Sequence, residues 1–118
     1  MEQISKNFNL SEFVCHCGCG QNHINRVLVH KLQKIRDRMG CSLTVTSGVR
    51  CQSHNDKIGG SSTSSHIDGY AVDLKCESGL FRQTLLTELT KVFMRIGIAK
   101  NFVHIDIDPG KTASVWLY

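Results

Sequence analysis

Three features that would assign a chain to a particular class are missing from this sequence. No apolar run approaches the ~20 residues of a membrane-spanning helix, so we expect no membrane insertion. The first residues, Met-Glu-Gln, do not resemble the basic region and apolar segment of a secretion signal. There is also no internal repeat. These absences predict synthesis and folding in the cytoplasm, so that action outside the membrane would require release or transport by another agent.

A strong charge imbalance is missing as well. The 14 Lys and Arg residues exceed the 10 Asp and Glu residues by only four, and they are scattered along the chain. This mild positive excess favours binding to an anionic surface such as a cell-wall polymer. Because the chain has no basic run, we expect no nucleic-acid partner. The length of 118 residues, with 41% hydrophobic and 20% charged residues, is typical of one ordinary globular domain. We therefore expect residues 1–118 to form a single domain that acts as a monomer.

Cysteine is comparatively frequent, and half of the cysteines lie in one short run. Residues 1–24 are predicted to be an irregular lead-in, because the run Cys15 to Gly20 alternates cysteine with His or Gly. Three interpretations of the run stay open: reduced structural cysteines, a structural zinc site completed by His16, His23 or Cys51, and disulfides. The single-residue spacing differs from that of zinc knuckles, and the missing secretion signal argues against disulfides. The cysteines are Cys15, Cys17, Cys19, Cys41, Cys51 and Cys76.

Hydrophobic periodicity predicts two helices and several short strands. The predicted elements are helices over 25–39 and 80–96, strands over 41–46, 70–74, 102–108 and 113–118, and a long polar loop over 51–65. The loop suits either the rim of an active site or a flexible linker. Gly97 is expected to end the second helix. This order predicts an α+β fold with a small, largely antiparallel sheet and two main helices packed on it.

His66 and Asp73 are the first candidate functional pair. They are seven positions apart, which would separate them by roughly 23 Å in a strand and by about 10 Å along a helix. Two ligands of one zinc ion must bring their donor atoms within about 4 Å of each other, so the chain would have to turn between them. Asp68-Gly69 is typical of such a turn. A hairpin with an exposed histidine and an exposed aspartate is the simpler alternative.

His104 is the candidate for a third ligand. It belongs to an alternating strand in which His104, Asp106 and Asp108 share one face. Two imidazoles and one carboxylate are a suitable set for catalytic zinc with an open position for water. Zinc lowers the pKa of such a water from 15.7 towards about 7 and polarises a carbonyl group.

The motifs Ser47-Gly48-x-Arg50, Ser64-x-His66-x-x-Gly69-x-Ala71-x-Asp73 and the strand containing His104 resemble a known family. It comprises the zinc peptidases of the D-alanyl-D-alanine carboxypeptidase and L-alanyl-D-glutamate endopeptidase kind, whose fold is shared with Hedgehog signalling domains. The resemblance covers roughly residues 8–118. Cys51, His54-Asn55 and Gly59-Gly60 are similar to its bacterial and phage branch.

The resemblance implies roles for individual residues. His66, Asp73 and His104 would be the zinc ligands. Arg50 would bind the substrate carbonyl or carboxylate and stabilise the developing oxyanion, with Ser64 also assigned to substrate binding. The positions two and three residues before His104, where several members carry a proton acceptor, are Phe102 and Asn101 in this sequence.

Asp106 is therefore our candidate for the general base. It shares a face with His104, and its alternative role is to orient a ligand imidazole.

The resulting prediction is a zinc peptidase that cleaves peptidoglycan stem peptides as a phage endolysin or a tail-associated wall hydrolase. As a lid over the active site, the segment between Cys51 and Ser65 is short, and the chain has no long insertions. An open groove is therefore expected, which favours an endopeptidase over a carboxypeptidase. Two alternatives are a zinc-containing module that binds wall fragments or a protein partner without cleaving them, and a protein whose only metal is a structural zinc held by cysteines.

Overall fold

The computed structural model describes residues 2–118 and consists of a five-stranded sheet with two main helices packed against it. A short 3-10 helix at Leu10–Phe13 precedes the first α-helix. The elements that follow are α1 (Arg26–Met39), β1 (Val45–Ser47), α2 (Gln52–Lys57), β2 (Ala71–Lys75), α3 (Gly79–Leu89), β3 (Arg95–Ile98), β4 (Phe102–Asp106) and β5 (Ser114–Leu117). Among these residues, no helix is both long and apolar enough to cross a membrane.

Helix α1 forms where the apolar spacing predicts it. The side chain of Asn25 caps its first turn by accepting a hydrogen bond from the backbone N–H of Leu28. Gly40 ends the helix in the left-handed conformation, with φ of 64°. The apolar face is fully buried, and it consists of Leu28, Val29, Leu32 and Ile35.

The strand order is β1-β2-β4-β3-β5, and each pairing is antiparallel except that of β3 with β5. The prediction of an α+β fold with a largely antiparallel sheet and two main helices is confirmed. In the central pair, Val72 lies opposite Ile105, and both are buried in the core. Because successive side chains alternate between the faces of a strand, Asp73 and its partner His104 lie on the other face.

The predicted helix over 80–96 is wrong in its second half. Helix α3 ends at Leu89, and a turn leads into β3 at Arg95. Ile96 is buried as expected, but it is buried as a strand residue paired with Ile105. Gly97 does not end a helix. It lies inside β3, between His104 of β4 and Trp116 of β5. Glycine is required there because a Cβ atom would come within 2.6 Å of the Trp116 ring.

The segment over 51–65 is not one uninterrupted loop. It contains the short helix α2, whose first turn is capped by the Cys51 side chain. Asn55 in this helix is completely buried, which contradicts a flexible linker there. The preceding strand also begins later than predicted, at Val45 rather than residue 41.

Candidate metal centre and its cavity

His66 and Asp73 are brought together by a compact turn followed by strand β2. The turn is held by backbone hydrogen bonds from Gly69 N–H to the carbonyl of His66, 3.3 Å, and from Tyr70 N–H to the carbonyl of Ser65, 3.0 Å. Gly69 has a φ of 78°, and a Cβ atom at this position would collide with the carbonyl oxygen of His23. Glycine is therefore required here both by conformation and by space.

The three candidate ligands converge in the structure. The Asp73 Oδ1 atom lies 3.2 Å from His66 Nε2 and 3.0 Å from His104 Nδ1. All three residues are buried, with 3%, 8% and 6% exposure for His66, Asp73 and His104. One donor atom from each lies within 4.8 Å of the others. Two imidazole nitrogens and a carboxylate oxygen at such separations fit a zinc ion with an open coordination position.

The far nitrogen of each imidazole has its own protein partner. His66 Nδ1 lies 2.8 Å from the backbone carbonyl oxygen of Gly48, so it donates to that oxygen. His104 Nε2 lies 2.7 Å from Asp106 Oδ2. When the imidazoles are neutral, these contacts leave the lone pair on the two nitrogens that face Asp73, as metal ligation requires.

Asp106 is held from several sides. Its Oδ1 atom accepts a hydrogen bond of 2.7 Å from Arg95 Nε and one of 3.1 Å from the backbone N–H of Asp108. The residue is 2% exposed. Both of its oxygens therefore already have protein partners, and the nearest imidazole nitrogen is the one that faces away from Asp73.

The electrostatics of these groups follow from their contacts. Burial alone would raise the pKa of Asp73, but hydrogen bonds from His104 and His66 lower it to about 2. Burial would lower the pKa of His104, but hydrogen bonds to Asp106 and Asp73 raise it. The pKa of Asp106 is lowered, since hydrogen bonds from His104, Asp108 and Arg95 outweigh its burial. The site thus favours ionised carboxylates beside the imidazoles.

Arg50 is positioned on the same side of the sheet. Its guanidinium donates to Asn55 Oδ1, 2.9 Å, and to Ser47 Oγ, 3.3 Å, and its Nη2 lies 4.0 Å from Asp73 Oδ2. Its buried Nε atom has no hydrogen-bond partner within residues 2–118. Gly60 lies so close that a Cβ atom there would be 3.0 Å from Arg50 Nη1 and would collide with Asn55.

A cavity of about 390 Å³ opens in front of these groups. Its wall contains the predicted site residues Arg50, Ser64, His66, Asp73, His104 and Asp106. Ser64 also accepts a hydrogen bond of 3.2 Å from the backbone N–H of His66. The predicted residues therefore share one space, and their roles as ligands and catalytic groups stay predictions.

Several residues of this cavity were missed at the level of sequence. Trp116 packs its ring 5.4 Å from that of His104, and the guanidinium of Arg95 lies 4.9 Å from the Trp116 ring centre. Tyr118 and Lys111 also contribute to the wall. Trp116 is the only tryptophan, which was the one available signal. Arg95 gave none, because it was assigned to a helix.

Comparison with known proteins shows the family to which the chain belongs. No curated protein matches the chain. A family model described as Peptidase M15 matches residues 6–106, which include Arg50, all three candidate ligands and Asp106. This match spans most of the 118 residues, and the chain therefore belongs to the peptidase M15 family, whose peptidases are metal-dependent.

Proposed function

We propose that this protein is a zinc-dependent peptidase that hydrolyses peptide bonds in peptidoglycan stem peptides. The observation that carries the proposal is the convergence of His66, Asp73 and His104 in a cavity that also contains Arg50, in a member of the peptidase M15 family. The mild positive net charge of +4 is compatible with an anionic wall polymer as the substrate.

His66 Nε2, Asp73 Oδ1 and His104 Nδ1 are the atoms that would hold the zinc ion. When bound, zinc would supply Lewis acidity, which lowers the pKa of a water molecule and polarises a carbonyl group. The protein's part is to orient both imidazoles towards the metal position. The Gly48 carbonyl does this for His66, and Asp106 does it for His104.

Arg50 is proposed to bind the carbonyl or carboxylate oxygen of the substrate and to stabilise negative charge that develops on it. A fixed donor is effective in this role because it needs no rearrangement during the reaction. The contacts with Asn55 and Ser47 hold the guanidinium in place. Ser64, in the same wall, is proposed as a further substrate contact.

For Asp106 we favour the role of orienting His104. Its Oδ2 contacts the imidazole nitrogen opposite the metal-facing one, and its Oδ1 is bonded to Arg95. A carboxylate with both oxygens engaged is poorly placed to accept a proton from a water molecule near Asp73. The general-base role stays a prediction that the metal-affinity measurement described below can decide.

The proposed substrate cleavage is internal to the peptide. Helix α2 makes the segment over 51–65 compact, and Gly59 and Gly60 at its far end line the cavity wall. An open groove suits an endopeptidase better than a carboxypeptidase. We further propose that the protein is a phage endolysin or a tail-associated wall hydrolase, with host lysis or the virion bringing it to the wall.

Digestion of purified peptidoglycan, followed by mass spectrometry of the fragments, tests this function. We expect new peptide termini in the stem peptides, loss of cleavage after chelation and recovery when zinc is added. His66→Ala should abolish cleavage, whereas His30→Ala, at an exposed histidine on α1, should not change it. Full activity after complete zinc removal would contradict the proposal. Tight binding of wall fragments without any cleavage would favour the non-catalytic binding module.

A further inference from the structure

A second group of metal-binding side chains lies outside the candidate active site. It comprises Cys15, Cys17 and Cys19 from the lead-in and Cys51 from the start of α2. The Sγ atom of Cys17 lies 3.5 Å from that of Cys15 and 3.6 Å from that of Cys51. All four sulfur atoms lie within 4.8 Å of one another. Four sulfurs around one tetrahedral zinc, each bonded at about 2.3 Å, would be about 3.8 Å apart.

The backbone of the lead-in is shaped to bring these sulfurs together. Gly18 and Gly20 have φ values of 86° and 82°, so the chain reverses after Cys17 and again after Cys19. The backbone N–H of Cys15 donates to the carbonyl of Gln21, 3.0 Å, which closes the loop. This geometry explains how cysteines separated by single residues can converge, which their spacing alone did not indicate.

The sulfurs also accept hydrogen bonds from backbone N–H groups. Cys15 Sγ accepts from the N–H of Cys51 at 3.4 Å, and Cys51 Sγ accepts from the N–H of His54 at 3.3 Å. Cys19 Sγ accepts from the N–H of Gln21 at 3.5 Å. Such donors stabilise thiolates and orient them, as outer contacts do in metal sites generally.

We propose that Cys15, Cys17, Cys19 and Cys51 bind a structural zinc ion, separate from the ion at the histidine-aspartate centre. On binding, the four thiols lose their protons to solvent and become thiolate ligands, without any change in redox state. Four soft sulfur donors in a tetrahedral arrangement select zinc over magnesium or calcium. Cys15 and Cys51 are buried while Cys17 and Cys19 are exposed, so the ion can enter from solvent.

The position of the site suggests what it contributes. Cys15 and Cys51 are 36 residues apart, and a metal link that closes a long loop stabilises the fold by restricting the unfolded chain. Cys51 directly follows Arg50, whose backbone N–H donates to the carbonyl of His66 at 3.1 Å. The zinc ion would therefore join the lead-in to the segment that carries Arg50.

Metal analysis of the full-length protein, purified with zinc, provides the test. We expect two zinc ions per chain in the wild type and one in Cys17→Ser/Cys19→Ser, since both side chains are exposed and the change removes little packing. His66→Ala should also retain one zinc ion, at the cysteines. Cys41→Ser, at an exposed cysteine outside the cluster, is the matched control and should retain two.

Cobalt replacement gives a second measurement, in which the wild-type spectrum reports sulfur ligation without any substitution. Wild type and His66→Ala should show strong sulfur-to-cobalt charge-transfer absorption, which should be absent in Cys17→Ser/Cys19→Ser. The proposal is overturned by unchanged zinc content in the double variant, by iron in place of zinc, or by disulfides among these cysteines in the non-reduced protein. Failure of the peptidase proposal would leave the zinc at the cysteines unaffected, so the two proposals can be told apart.

Discussion

At the scale of single residues, Asp73 is the group around which the candidate metal centre is built. One of its oxygens contacts both imidazoles, at 3.2 Å and 3.0 Å. A carboxylate in a buried strand needs such compensation, because burial of an unpaired charge is costly. The two histidines satisfy this requirement in the absence of a metal, and the same three atoms form the proposed zinc site when the imidazoles are neutral.

The role of Asp106 can be measured through metal affinity. Asp106→Ala should weaken zinc binding at the histidine-aspartate centre by about 10- to 100-fold, because His104 loses the partner that orients it. A competition titration with a chelating dye measures this loss, and Asp37→Ala, an exposed aspartate on α1, is the control. Lost turnover with unchanged zinc affinity would instead support Asp106 as the general base.

The same contacts predict how the metal-free protein responds to pH. The pKa of Asp73 is lowered from 3.8 to about 2, so its stabilisation is complete above 3.8 and is lost as the pH falls through 2. This shift corresponds to on the order of 2 kcal/mol. The pKa of His104 is raised above 6.5, so its stabilisation is present below 6.5 and is lost as the pH rises through the folded-state value.

Thermal unfolding of chelator-treated protein should therefore give the highest melting temperature between the two unfolded-state pKa values, 3.8 and 6.5. Both shifts report largely on one shared ion pair, so their free energies are not added. His104→Gln should remove the decline on the alkaline side. A melting temperature that keeps rising well above pH 6.5 in metal-free wild type would contradict the prediction.

At the scale of elements, strand β3 determines how the aromatic side of the cavity is formed. Gly97 pairs with His104 on one side and with Trp116 on the other. Because Gly97 has no side chain, the Trp116 ring lies over β3 and packs 5.4 Å from the ring of His104.

Gly97→Ala tests this arrangement. Its Cβ atom would be 2.6 Å from the Trp116 ring, so the ring or the strand must move. We expect a loss of about 1–3 kcal/mol in the free energy of unfolding and a change in tryptophan fluorescence. Gly79→Ala is the matched control, since a Cβ atom there meets no atom within 4 Å. Equal stability and fluorescence in the two variants would contradict the proposed packing.

The segment that follows α2 allows a second test at this scale. In Gly60→Ala the new Cβ atom would collide with Asn55 and lie 3.0 Å from Arg50 Nη1. Arg50 would lose its position, so kcat/KM should fall by roughly 10²-fold, as for loss of one stabilising donor. Zinc content should stay that of the wild type. Ser62→Ala, at an exposed residue of the same segment, should leave kcat/KM unchanged.

At the scale of the whole molecule, the proposed metal links distant parts of the chain. His104 is 31 residues from Asp73, and β2 and β4 must pair in register before the ligands meet. A metal that binds only the folded state stabilises it. Free zinc at 100 times its dissociation constant should add about 2.7 kcal/mol to the free energy of unfolding.

Urea unfolding with and without zinc measures this stabilisation. Magnesium at the same concentration should have little effect, since it prefers oxygen ligands. To isolate the histidine-aspartate centre, the comparison is best made in Cys17→Ser/Cys19→Ser. Identical unfolding curves with and without zinc in that variant would mean that the centre holds no zinc in the folded state.

Local signals in the sequence determined α1, the start of α3, the central strands and the turn between His66 and Asp73. Each depends on residues within a few positions of one another, such as the Asn25 cap, the apolar spacing along α1 and the left-handed Gly69. The alternation of residues 102–106 likewise put His104 and Asp106 on one face. The three candidate ligands were found in this way, together with a family resemblance.

The tertiary structure alone decided the features that depend on distant contacts. Residues 95–98 form a strand instead of extending α3 because β4 and β5 pair with them on both sides. The space at Gly97, the engagement of Asp106 by Arg95 and the meeting of Cys51 with the lead-in cysteines likewise join residues far apart in the chain. Local hydrophobic periodicity does not predict such contacts, since they form only when separate elements pack against one another.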